Sequence, residues 1–174
     1  MNSIDKIIKA CKKNKAWAQA ELFERYSDKM FGTCLYYSEN KADAEDLLQD
    51  GFMQIFSKIS KYKEDNLEAW MRRVFINLAL MKYRKNKLDT QELKDDYTEF
   101  KDYEISAQLN TNDLMQMINE LPTQYKLVFN LYAIEGYKHR EIAEMLEITE
   151  GTSKSNLSRA RNILQNKLKE RENI

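Results

Sequence analysis

Proline and glycine are nearly missing: the chain has one Pro and four Gly in 174 residues. An all-β fold uses many such residues in its turns, so their scarcity argues for helices and an all-α fold class. Cysteine is scarce as well. Cys11 and Cys34 stand far apart, which argues against a disulfide framework and fits a reduced, cytoplasmic protein. No apolar run approaches the length of a membrane span. The N-terminal MNSIDKIIKACKKNK is too polar for a signal peptide, so no membrane insertion is expected. His139 is the only histidine, and no Cys or His partner lies at metal-ligand spacing. A Gly-rich phosphate loop is also missing. No metal, no cofactor and no enzymatic activity are therefore expected.

Net charge is missing too, because 28 acidic residues balance 28 basic ones. The charge is instead distributed in blocks. Residues 39–50 carry five acids and one base, residues 69–88 carry six bases and no acid, and residues 89–104 carry seven acids and two bases. After Glu150, no acid appears until Glu170. Any argument about partners must rest on this patterning.

Apolar residues at spacings of three and four predict a helix over 17–38, through Leu22, Phe23, Tyr26, Met30, Phe31 and Leu35. A second is predicted over 41–57, with Leu48, Phe52, Ile55 and Phe56 inward, and a third over 67–85 after the loop 60–66. Residues 87–110 are acidic and poorly periodic and read as a linker. Beyond it, helices are expected at 111–120, 123–135, 138–146 and 150–170, with Pro122 opening the second and Gly136 closing it. The organisation is two small helical modules, 1–86 and 111–174, on an acidic tether.

YKHREIAEMLEITEGTSKSNLSRAR has the form of a helix-turn-helix. Ile142, Ala143 and Leu146 turn inward on the first helix. Thr149 is placed to cap the second, and Leu157, Ala160, Leu164 and Leu168 make its apolar stripe. Ser155, Arg159, Asn162 and Asn166 lie on the opposite face, with Thr152 and Ser158 beside them, and suit the major groove. Arg bonds guanine bidentately, Ser and Thr bond bases or phosphates, and an acid on this face would repel DNA. Asn156 and Ser158 make the reading face small. The turn holds Glu147 where many such motifs hold Gly, at a cost on the order of 1 kcal/mol for a left-handed residue.

In the first module, DAEDLLQDGFMQIF sets Asp46, Gln49, Asp50 and Gln54 opposite an apolar face, which suits either solvent or a protein partner. On the next helix Trp70, Arg73, Asn77 and Arg84 share one side. Bases, an aromatic and an amide suit opened DNA, with charge for phosphate and a flat ring for an unstacked base. Trp70 would serve the core equally well.

Together these segments resemble an extracytoplasmic-function (ECF) sigma factor of RNA polymerase, with wording similar to the branch common in Bacteroidetes. DAEDLLQDGFMQIF resembles region 2.2, EAWMRRVFINLALMKYRKNK regions 2.3 and 2.4, and INELPTQYKLVFNLYAIEGYKHREIAEMLEITEGTSKSNLSRARNIL region 4. The resemblance implies that Asp46, Gln49, Asp50 and Gln54 dock on the β′ clamp of polymerase core, with the β flap as a further contact. It implies that Lys61, Tyr62, Asn66, Trp70, Arg73, Asn77 and Arg84 open the minus-ten element. It assigns Thr152, Lys154, Ser155, Ser158, Arg159 and Asn162 to the minus-thirty-five element. The implied partners are polymerase core, promoter DNA and an anti-sigma factor, with the chain itself a monomer. A stand-alone helix-turn-helix regulator is the alternative; the basic-aromatic helix at 70–87 argues against it, since a repressor has no need to open DNA.

Overall fold

The computed structural model describes residues 3–63, 65–89 and 111–172. Among them every regular element is helical. The chain divides into two compact units, Met1–Tyr83 and Arg84–Ile174.

The first unit opens on α1 (Ile4–Cys11), a helix not expected from the sequence. The Ser3 side chain caps it by accepting from Lys6 N–H, and Ile7 and Cys11 are buried. Helix α2 spans Ala16–Tyr37 and buries Ala18, Leu22, Met30, Thr33 and Cys34. Helix α3 spans Lys41–Lys58 and buries Ala44, Leu47, Gly51, Phe52 and Ile55. Its start is fixed by Asn40, whose Oδ1 accepts from the Asp43 N–H at 2.9 Å. A short 3₁₀ turn, Ile59–Lys61, leads toward α4 (Leu67–Asp89). The expected loop is therefore partly a helical turn. Helix α4 also runs past the expected boundary: residues 87–89 of the predicted linker are helical, and 90–110 lie outside the described residues.

The core of this unit centres on Phe52. Its ring lies 4.7 Å from Phe23, 5.9 Å from Phe56 and 5.6 Å edge-on from Phe75. Such tilted and T-shaped contacts add to area burial because positive ring edges meet negative faces. Met71, Ile55 and Leu22, all fully buried, complete the packing.

The second unit holds α5 (Thr111–Asn119), α6 (Thr123–Phe129), α7 (His139–Leu146) and α8 (Glu150–Glu172). Pro122 precedes α6 with extended ψ of 140°. The expected helix over 123–135 is real but changes pitch, since Asn130–Ile134 form a π turn. Gly136 then takes φ of 79°, and Tyr137 N–H bonds back to Leu131 C=O at 2.9 Å. A left-handed residue here costs glycine nothing, which is why the helix stops at this point. Helices α6 and α7 both pack on α8, and Leu127, Val128, Leu131, Ile142, Leu146, Leu157, Ala160 and Leu164 are buried.

Candidate nucleic-acid and protein-docking surfaces

The helix-turn-helix forms as its sequence predicts. Helix α7 ends at Leu146, and Glu147 turns the chain with φ 55° and ψ 46°, the left-handed conformation. Ile148 N–H closes the turn on Ala143 C=O at 3.1 Å. Thr149 Oγ1 accepts from Thr152 N–H at 3.0 Å and meets Thr152 Oγ1 at 2.8 Å. Thr149 thus satisfies one of the open donors at the start of α8.

Along α8 the expected reading residues keep one side of the helix. Lys154 is exposed, and Thr152, Ser155, Ser158, Arg159 and Asn162 are half-buried. Several already have local partners. Lys154 Nζ lies 3.0 Å from Glu150, and the hydrogen bond and charge of Lys154 hold the Glu150 carboxyl below its usual range. Ser155 Oγ donates to Thr152 C=O at 3.0 Å. Arg159 Nη1 donates to the Tyr125 hydroxyl at 3.4 Å. One expectation fails: Asn156 does not contribute to a reading face. It is fully buried beside the apolar stripe, and both its Oδ1 and Nδ2 lack partners.

The same half of α8 is braced on another side by a chain of contacts through the π turn. The Tyr132 ring stacks on His139 at 4.6 Å and 21°. His139 Nδ1 lies 2.9 Å from the Oγ of buried Ser153, and Arg161 sits over Tyr132 at 5.8 Å. The single histidine is a structural support here.

In the first unit, α4 presents Arg73 and Asn77 to solvent, with Trp70 half-buried on the same side. The half-buried Arg84 falls in the second unit, where its Nη1 donates to the Met145 C=O at 3.2 Å. Lys61 and Asn66 are exposed before α4. Asn66 Oδ1 also accepts from Ala69 N–H at 3.0 Å, so this residue caps the helix start. Tyr62 departs from expectation. It is buried, its ring tilts against Trp70 at 5.1 Å, and its C=O accepts from Lys12 Nζ at 2.7 Å. Its ring packs the end of α4 and is not a surface group. Trp70 does both things the sequence allowed: it packs on the core and keeps part of its surface open.

On α3, Asp46, Gln49 and Asp50 are exposed and Gln54 is half-buried. Asp50 pairs with Lys82 of α4 at 2.6 Å, and Gln54 Oε1 accepts from Lys58 Nζ at 2.9 Å. Beside them lies an apolar groove formed by Phe23, Leu48, Phe52, Met53 and Phe56, with Glu45 and Gln49 at its rim. Met53 is 65% and Phe23 43% exposed.

Residues 22–88 match the family described as Sigma-70 region 2, and residues 111–164 that described as Sigma-70, region 4. The chain is 29% identical to the ECF RNA polymerase sigma factor SigW of Bacillus subtilis, over 96% of this chain and 97% of that one. The chain belongs to the sigma-70 family, in its ECF class. It is also 28% identical to the ECF RNA polymerase sigma factor SigE of Mycolicibacterium smegmatis over 85% of its length, spanning 60% of that protein. In fold it is similar to the sigma factor RpoE of Bartonella quintana, solved in complex with the anti-sigma factor NepR. That similarity covers 86% of this chain and 96% of the other, at 24% identity and a TM-score of 0.53.

As an alternative sigma factor, the chain directs promoter-specific transcription. The groove on α3 is the part of this sigma factor that sequence reasoning missed. Phe52 and Phe56 read as core by helical phase, and Phe23 sits on another helix. The one available signal was Met53, an apolar residue on the polar side of α3. Among the described residues, no helix is long and apolar enough to cross a membrane.

Proposed function

We propose that this sigma factor docks on polymerase core through α3, opens the minus-ten element with α4, and reads the minus-thirty-five element with α8. The observation that carries this is the chemistry of α3 and α4. Gln49 and Glu45 line an apolar groove on α3, with Asp46 and Asp50 exposed on the same helix, while Arg73 and Asn77 stand exposed on α4. The first surface suits a protein with apolar and basic groups. The second suits phosphate and an unstacked base.

Free sigma factor binds DNA weakly in this reading, because acids offset its bases. Docking occupies the α3 face, and two weak DNA sites on one scaffold then act at high effective concentration. Extruding a base costs a few kcal/mol, offset by stacking and hydrogen bonds against α4. The chain performs no catalysis; polymerase makes the RNA. It acts as a cytoplasmic monomer. An anti-sigma factor holds it off polymerase, a role supported by the complex known for the Bartonella quintana relative.

The test is run-off transcription. Purified chain plus core should initiate at specific promoters from a genomic library, where core alone does not. Tight binding to a duplex operator without core, and no stimulation of core, would favour the stand-alone regulator instead.

A further inference from the structure

We propose that Tyr125 is a positioning residue for Arg159, and that it thereby sets base preference at the upstream promoter element. This rests on the reading of Arg159 as a base-contacting residue.

Arg159 is the longest side chain among those assigned to the reading face, and its reach makes its direction matter. Its Cζ lies 5.9 Å from the centroid of the Tyr125 ring, and its Nη1 donates to the Tyr125 hydroxyl at 3.4 Å. Both residues are half-buried. Each stands on an anchored helix: Leu127, Val128 and Phe129 are buried on α6, as are Leu157, Ala160 and Leu164 on α8. The tyrosine is therefore a fixed plate that sits 34 residues upstream in the chain.

A guanidinium is a planar fork of five donors that stacks on aromatic faces and bonds guanine through two parallel N–H groups. Contact with Tyr125 orients that fork before DNA arrives. A group already oriented loses less freedom on binding and favours the base that matches its direction. The hydrogen bond is long at 3.4 Å and the ring centroid lies 5.9 Å away, near the outer reach of a cation–π contact, so the hydroxyl and the ring orient the fork together.

Arg161 gives the contrast. It also lies over a tyrosine, Tyr132, but that ring is stacked on His139, whose Nδ1 contacts Ser153. Arg161 thus braces the unit on the flank of α8. Arg159 shares the side of α8 that carries Ser155 and Asn162, away from the apolar stripe.

The experiment uses the full chain bound to polymerase core, selecting from promoters randomised across the upstream element. Arg159→Ala should flatten the preference at one base pair. Tyr125→Leu should reduce the preference at that same pair by about tenfold, the lower part of what one bidentate base contact confers. Tyr125→Phe, which keeps the ring and removes the hydroxyl, should retain part of it. Tyr125→Leu combined with Arg159→Ala should be no flatter than Arg159→Ala alone. Tyr125→Met serves as a second non-aromatic variant, and thermal melting checks that each variant is folded. If Arg159→Ala flattens the preference while folded Leu and Met variants keep it, the inference is overturned and the reading of Arg159 stands. A loss spread over every position, in step with a lower melting temperature, also overturns it. If Arg159→Ala changes no preference, the reading of Arg159 falls and this inference falls with it.

Discussion

Gly51 on α3 lies directly against the ring of Phe75 on α4, so closely that a Cβ built on Gly51 would overlap three of the ring carbons. Phe75 is 1% exposed and edge-on to Phe52, so it has little room to retreat. This contact sets the spacing between the helix that carries the docking face and the helix proposed to meet opened DNA. Alanine is the better helix former by about 1 kcal/mol, and overpacking opposes it by roughly 1–3 kcal/mol. Gly51→Ala should therefore lower the urea midpoint of the first unit. Phe75→Leu in the same chain should recover part of the loss. An unchanged or higher midpoint for Gly51→Ala alone would mean that the helices separate at no cost.

Cys34 is fully buried, and burial pushes its thiol up to about 12. Cys11 is raised by the same cause. A thiolate is the reactive form, so neither thiol should react with an aromatic disulfide reagent at pH 8 until the first unit opens. Both should react in denaturant. The raised pKa also gives a sign for stability. Above pH 9 the unfolded chain releases protons that the folded chain keeps, so stability should fall as pH rises from there. Rapid native-state labelling of either thiol, or stability that rises above pH 9, would contradict this packing.

Much of the fold could be read from the sequence because helical phase is a local property. The boundaries of α3, the cap at Thr149, the left-handed Glu147 and the exposure of Asp46, Gln49 and Asp50 all depend on residues within a few positions of each other. What was missed depends on distant neighbours. Helix α1 is the exception: Ile4, Ile7, Ile8 and Cys11 recur at spacings of three and four behind the Ser3 cap, a local signal legible among the lysines and missed. Tyr62 reads as a loop residue until the core closes over it. Asn156 lies off the centre of the apolar stripe, so phase alone does not bury it. The groove needs Phe23 from one helix and Met53 from another, a pairing that no periodicity reports.

Glu147 and Thr149 bracket the turn with opposite effects. Glu147 holds φ at 55°, where a side chain is strained and glycine is not. Glu147→Gly should stabilise the second unit by about 1 kcal/mol, reduced by the greater freedom of glycine when unfolded. Thr149 Oγ1 accepts from the Thr152 N–H, and Thr149→Ala should cost about 1 kcal/mol. Chemical denaturation of both variants gives the two signs. A destabilised Glu147→Gly would mean that the carboxylate contributes more to this turn than the backbone strain removes.

Met53 offers the sharpest separation between docking and folding. It is 65% exposed at the apolar groove and absent from the core cluster, so a charge there meets solvent in the free chain and costs the fold little. In the proposed complex the same position is covered by the polymerase clamp, where an unpaired carboxylate must be desolvated. Met53→Glu should thus weaken core binding at least about tenfold, as expected for an unpaired charge at the centre of an interface, while thermal melting stays within a degree or two. Met53→Leu should bind as the parent does, because the groove keeps an apolar side chain of similar volume. Gln54→Ala, whose side chain is already bonded to Lys58, should have a smaller effect than either Gln49→Ala or Met53→Glu. Equal core affinity for Met53→Glu and the parent, in a titration followed by fluorescence anisotropy, would remove the groove from the docking surface and leave the amide and acid face to carry it alone.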